Sequence, residues 1–293
     1  MQKNLFVILM FGSMIAWGIS WSSIKIMSEY LRTEELVFVR YAITAIALFF
    51  IVIAMRLNFK IDRRSLLLAF LVGLLTVIYG YVIFLGTELG TASLAGAFIN
   101  TLSPINTFLI MAIFYKRKIA RLDLGALTLG FIGTMLMLGV WQFDAQKIFT
   151  AYNLYFVLGA WLWSLVTITS SHSRSNMIVF SFYLYLFTTI LALFAIDISA
   201  LDLTKTDSRF WLNTLFVSVI STAIASTIFF LGTKKLGADG VSSFMFVTPV
   251  SAIGFGVIAL GETLSFWTLI GIFAAILAVY MLNRIGIFKP KLN

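Results

Sequence analysis

Two apolar stretches, each centred on a proline, carry the same surroundings at a constant separation, so the chain has to be built from two copies of one unit. Thr91 to Lys118 holds Pro104, and Gly237 to Glu262 holds Pro249, 145 residues later. Phe84-Leu85-Gly86-Thr87 and Leu89-Gly90 lead into the first stretch; Phe230-Leu231-Gly232-Thr233 and Leu236-Gly237 lead into the second. Gly125 follows Lys116 as Gly271 follows Glu262, and offsets of 145 to 147 residues relate every pair.

A proline removes one backbone N–H, and its ring clashes with the carbonyl four residues back. The carbonyls of Asn100 and Met245 are thereby freed inside apolar segments. Such groups persist in a bilayer only where protein or a water-filled cavity satisfies them. At helical spacing Ser93, Ala97, Asn100, Ser103 and Thr107 form one stripe, expected to face protein or water. Pro104 and Pro249 are the expected hinge or gate positions.

With 61% hydrophobic and 11% charged residues and a mean hydropathy of +1.02, a water-soluble globule is excluded. No cysteine is present, which removes disulfides and thiolate metal sites, and neither a metal nor a cofactor is expected. Ten apolar segments of membrane-spanning length are expected, near 5–27, 34–55, 65–86, 91–115, 122–141, 152–171, 177–196, 210–232, 239–260 and 264–284. Loops are short and leave no room for a soluble domain. The first segment is too long, and lacks the small-residue site, for a cleaved signal peptide.

Of the 21 Lys and Arg residues, 15 fall in one set of loops and four (Arg32, Lys147, Lys205, Arg209) in the other; Lys25 and Arg40 lie within segments. The positive-inside bias puts both termini in the cytoplasm. Five segments per copy is an odd number, so the copies, expected at 1–148 and 149–293, run in opposite orientations. Inverted repeats are the usual basis of alternating access, with the site at the repeat interface near mid-membrane.

Trp17-Gly18, Lys25, Arg40, the paired proline helices and the Gly-Glu-x-Leu of 261–264 followed by Gly271 resemble the EamA family of the drug/metabolite transporter superfamily. The resemblance covers about 5–284 and implies a ten-helix inverted-repeat carrier in a bacterial inner membrane. It also implies a cavity lined by helices 1, 3, 4, 6, 8 and 9, with export of amino acids or other small metabolites. Lys116 stands where the second copy has Glu262, a departure from the family pattern in the first repeat.

Several residues follow as substrate-binding candidates. On helix 1, Trp17, Ser20 and Trp21 share a face with Ser13, Ile24 and Ser28, and suit an amphipathic ligand. The ordinary alternative is helix packing or an interfacial belt. An intramembrane cation needs a partner or a function. Lys25 and Arg40 could both attract a substrate carboxylate or snorkel to headgroups; for Arg40 the favoured reading is a structural pin near Glu29, Glu34 or Glu35. Tyr79 on helix 3, Asn100 and Ser103 on helix 4, Trp163 on helix 6 and Ser221 on helix 8 complete the set. Small hydroxyl residues such as Ser221 equally serve close helix packing. Glu88 is expected at the outer helix end, and His172 in a loop at an inner one.

An enzyme would need paired acids, a Ser/His set or a metal set within the segments, and none is legible. A passive channel would show charge rings or carbonyl filters. Uptake or exchange of a nucleoside, vitamin or cofactor-like metabolite is the alternative to export. The expected partners are a small-molecule substrate and lipid, without nucleic acid. A monomer is expected, and the coupling ion is not legible.

Overall fold

A computed structural model describes residues 3–89, 92–138, 153–260 and 265–287. No strand occurs among the described residues. The chain forms α1 (Lys3–Met27), α2 (Thr33–Ala54), α3 (Arg63–Leu89), α4 (Ala92–Phe114), α5 (Arg121–Leu138), α6 (Asn153–Ser171) and α7 (Met177–Leu193). Two 3₁₀ turns follow, and then α8 (Ser208–Leu215), which passes through eleven residues of π-helix (Phe216–Ser226) into α9 (Thr227–Ser242). A 3₁₀ turn (Ser243–Val247) leads to α10 (Thr248–Leu260), and α11 (Phe266–Ile287) follows.

Six described stretches are long and apolar enough to cross a membrane, with shorter apolar helices at Phe98–Phe114 and Met177–Leu193. One of the six, Ser208–Gly254, has 47 residues, about twice what a single crossing needs. Gly237, with φ +81° and ψ 164°, interrupts it. A side chain is strained in that left-handed region, which is why glycine stands there. The same Leu-Gly pair occurs at Leu89-Gly90, where Gly90 falls outside the described residues.

Large apolar side chains point outward: Ile46, Phe50 and Ile53 on α2; Leu67, Leu71 and Leu74 on α3; Phe266, Phe273 and Tyr280 on α11. Bands of this extent are foreign to a water-facing surface and match lipid. The chain is a multi-pass membrane protein.

Packing interleaves the two repeats. α1 packs on the π-helix and α10; their counterparts at offset 145 to 146 are α6, α3 and α4, and α6 packs on α3 and α4. α2 pairs with its own counterpart α7, and α5 with its counterpart α11. Exchanging the halves therefore preserves these main packings.

The prolines act differently in the two copies. α4 stays α-helical through Pro104, whereas the backbone tightens to 3₁₀ before Pro249. There the Thr248 N–H takes the Met245 carbonyl that the proline would have left without a partner.

Two crossings are close enough to exclude any side chain. A Cβ on Gly18 would lie 2.6 Å from Thr248 O and 3.0 Å from Ala252 N on α10. A Cβ on Gly271 would lie 2.6 Å from Gly133 O, where α11 crosses α5. Gly271→Leu is expected to lower stability in detergent by about 1–3 kcal/mol through overpacking. Gly125→Ala, at a position with open space around it, should leave the melting temperature unchanged. Equal melting curves for the two variants would contradict the crossing.

Candidate functional site

Two tryptophans meet at the centre of the molecule. Trp17 on α1 and Trp163 on α6 are 146 residues apart, hence equivalent in the two repeats, and their rings pack edge-to-face with centroids 5.1 Å apart. Phe229 leans on both, at 4.9 Å from Trp17 and 5.8 Å from Trp163, and Tyr79 lies 5.0 Å from Trp163. Trp17 Nε1 donates to Ser221 O (2.9 Å), in the π-helical stretch. In that stretch the turn is wider than in an α-helix, a distortion frequent at functional sites. The hydroxyls of Thr222 and Ser226 donate to carbonyls five residues back, Val217 O (2.7 Å) and Ser221 O (3.4 Å). The counterpart of Ser221 is Leu75, in regular α-helix, and Trp163 Nε1 finds no partner.

Around this pair lies a cavity of about 40 Å³, lined by α1, α2, α3, α4, α6, α7, the π-helix and Met245. Its lining contains Trp17, Ser20, Trp21, Tyr79, Asn100, Trp163 and Ser221 from the candidates above. The sequence pattern matches itself again here: Thr76 and Thr222, 146 apart, and Asn100 and Met245, 145 apart, all line the cavity. One water needs roughly 10–15 Å³ by the same measure, so the space holds only a few waters. Substrate pockets run to several hundred Å³; entry of a metabolite requires the helices to part.

Lys25 and Ser103 are not in this lining. Lys25 Nζ donates to Thr87 O (2.6 Å) and Glu88 O (3.5 Å), capping the end of α3. Ser103 Oγ donates to Ala160 O (3.3 Å), and Ser103 O accepts from Ser164 Oγ (2.9 Å), so this residue joins α4 to α6. Asn100 Nδ2 donates back to Gly96 O (2.8 Å) while its side chain lines the cavity. Thr107 closes on Ser103 O (2.8 Å); the side chains of Ser93 and Ala97 fall outside the described residues, as does Glu262.

Arg40 corrects the expectation of a pin. Glu34 and Glu35 hold Arg32, and Glu29 holds Arg209 (3.2 Å). Arg40 instead turns into the cavity, 8% exposed, and Nη2 donates to Thr222 Oγ1 (3.1 Å). Sequence reading held a carboxylate-binding role for Arg40 only behind the pin, and it missed Thr76, Tyr185 and Thr222 as lining residues; projecting Thr76 forward by 146 finds Thr222.

A second hollow of about 390 Å³, lined by Ser28, Glu29, Arg32, Glu35, Glu88, Asp202 and Lys205 among others, opens at the opposite end of α1 from Lys3. The Lys25 contact lies between the two hollows, beyond Ile24 and Ile83 on α1 and α3. At its rim Asp207 accepts from Phe210 N–H (2.9 Å) and Tyr30 O–H (3.0 Å). The backbone bond from Phe210, above all, holds the Asp207 carboxyl below its ordinary range. Burial and the bond to Asp207 raise the Tyr30 phenol.

The other end repeats the lysine contact with roles exchanged. Lys234 Nζ donates to Ser171 O (2.9 Å) and to Ser173 O at the end of α6. Residues 25 and 171 are equivalent at offset 146, as are 88 and 234. Arg117 pairs with Asp239 at the same end, and His172 Nδ1 lies 2.8 Å from Ile168 O.

The profile of the EamA-like transporter family matches residues 4–139 and 150–284. The chain belongs to the EamA family. Its superfamily is that of the drug/metabolite transporters, and this EamA protein is accordingly a membrane transporter. A relative named "Uncharacterized transporter sll0355", from Synechocystis sp., is 32% identical over 83 residues, which are 28% of this chain. The matched part spans about a quarter (25%) of that relative's length. A solved crystal structure superposes with a TM-score of 0.76 over 97% of this chain and 98% of its own, at 16% identity, and shows a shared fold.

The two indoles separate by their partners. Trp17→Phe loses a buried hydrogen bond and leaves Ser221 O without its indole; Trp163→Phe loses none. Thermal denaturation in detergent should show Trp17→Phe destabilised by about 1 kcal/mol more than Trp163→Phe. Equal losses would show that the Ser221 bond contributes nothing.

Proposed function

We propose that this transporter is a secondary-type carrier that moves small amphipathic metabolites by alternating access, exporting amino acids or related compounds across a bacterial inner membrane. Ten spans form two oppositely oriented units, 1–148 and 149–293, with both termini cytoplasmic. Trp17, Ser20, Trp21, Tyr79, Asn100, Trp163 and Ser221 bind substrate, and Pro104 and Pro249 act as hinges.

The observation that carries this reading is the small cavity at the seam of the repeats, lined by equivalent residues from both. In an inverted-repeat carrier the two halves exchange conformations about such a seam. The lysine contacts at opposite ends of the molecule, Lys25 on α3 and Lys234 on α6, support the same cycle as latches that open in turn. Hydrogen bonds to helix-end carbonyls suit that task, because water replaces them at little net cost.

Counterflow of a labelled amino acid into proteoliposomes tests the carrier class: saturable exchange is expected, and unsaturating conductance would indicate a channel. Asn100→Leu should reduce flux to the empty-liposome background while the protein still inserts and elutes as the wild type does. Unchanged flux would remove Asn100 from the site.

A further inference from the structure

We infer that the cavity selects organic anions: Arg40 receives the carboxylate, and the Trp17–Trp163 pair receives the apolar body. The inference rests on the carrier function proposed above and narrows its substrates, among amino acids and related compounds, to the anionic relatives that lack the ammonium.

Three buried side-chain polar atoms of the lining have no hydrogen-bond partner, Arg40 Nε, Arg40 Nη1 and Trp163 Nε1, although the Arg40 guanidinium also lies 5.1 Å from the Tyr41 ring centroid. All three are N–H donors. Both residues are more than nine-tenths buried, Arg40 at 8% and Trp163 at 6% exposure. Several other polar groups around them are engaged: Tyr41 O–H donates to Thr76 O (3.3 Å), Thr76 Oγ1 to Val72 O (2.7 Å) and Ser20 Oγ to Trp17 O (2.8 Å). The unmet demand of these fully buried lining atoms is therefore for acceptors, and a carboxylate is the acceptor group of highest capacity.

Charge leads to the same class. Arg40 is the only charged side chain in the lining among the described residues, and no Asp or Glu lines it. A guanidinium taken out of water without a counter-charge is unfavourable, and an incoming carboxylate relieves it through charge-assisted bonds. An ammonium does the opposite, since like charges repel strongly where the dielectric is low. A zwitterion gains at its carboxylate and loses at its ammonium, for which no described lining side chain supplies an anion. The aromatic faces offer a cation only a weaker site, beside a fixed positive charge.

The shared fold does not require this arginine. Trp17 and Trp163, Thr76 and Thr222, and Asn100 and Met245 line the cavity as equivalent pairs, whereas Tyr185 and Leu186 stand 145 and 146 residues after Arg40. Tyr185 lines the cavity, and its ring stacks on Tyr41 at 5.8 Å. The charge is one of the features in which the two copies differ, so the duplicated scaffold does not by itself call for it.

Calorimetric titration of the full chain in nanodiscs with 3-phenylpropionate, phenylalanine and phenethylamine tests this, because the three probes share a ring and a short chain and differ mainly in charge. We expect 3-phenylpropionate to bind about tenfold or more tighter than phenylalanine, and phenethylamine not to bind. Arg40→Gln should weaken 3-phenylpropionate by about thirtyfold or more, with partial recovery in Arg40→Lys. If phenylalanine or phenethylamine binds wild type as tightly as 3-phenylpropionate, the anion class is wrong, while saturable phenylalanine counterflow would leave the carrier standing. Should no probe bind or exchange, both readings fall. Where Arg40→Gln does not insert, the ranking of the three probes on wild type decides by itself.

Discussion

The carbonyl just before each proline is where the two repeats grip one another. Ser103 O accepts the hydroxyl of Ser164, and Thr248 O presses against the backbone at Gly18. Residues 18 and 164 are equivalent, as are 103 and 248, so the two crossings are one contact made twice. In hydrocarbon, polar backbone has to be satisfied inside the protein, and helices associate chiefly through close packing and hydrogen bonds. These crossings meet both needs. They also set the neighbouring Trp17 and Trp163 at one depth, which is why the indoles touch.

Against that near-symmetry, the chemistry lies in the departures from it. One copy winds its cavity-lining helix as π and gives Trp17 a carbonyl; the other keeps a regular helix and leaves Trp163 without one. One proline sits in an unbroken helix and the other follows a 3₁₀ turn. Arg40 has no basic counterpart at all. A cavity between two identical, oppositely oriented halves would be equally receptive from either side. The unequal halves give it a polarity, with unpaired donors gathered in one small space.

The lysine contacts use the same duplication in another way. A cation reaches the carbonyl end of a neighbouring helix at both ends of the molecule, but the lysine comes from α1 in one copy and from α9 in the other. The negative end of a helix dipole favours a cation there without a carboxylate partner. Neither contact is visible in the residue pattern, because the acceptors are main-chain atoms.

What the sequence determined by itself is the duplication, the helical membrane class and part of the cavity wall. Those follow from local rules: spacing at constant offset, apolar length, and polar side chains on one helical stripe, as with Trp17, Ser20 and Trp21. What only the tertiary structure decided is where long side chains go and which backbone atoms they meet. Arg40 lies close in sequence to three glutamates, which find other cations, and it turns inward instead. Lys25 shares a helix with the cavity tryptophans yet reaches a carbonyl of α3. A four-carbon or guanidinium side chain spans several ångströms in many directions. Its partner is therefore chosen by the helix packed beside it, which no spacing along the chain reveals.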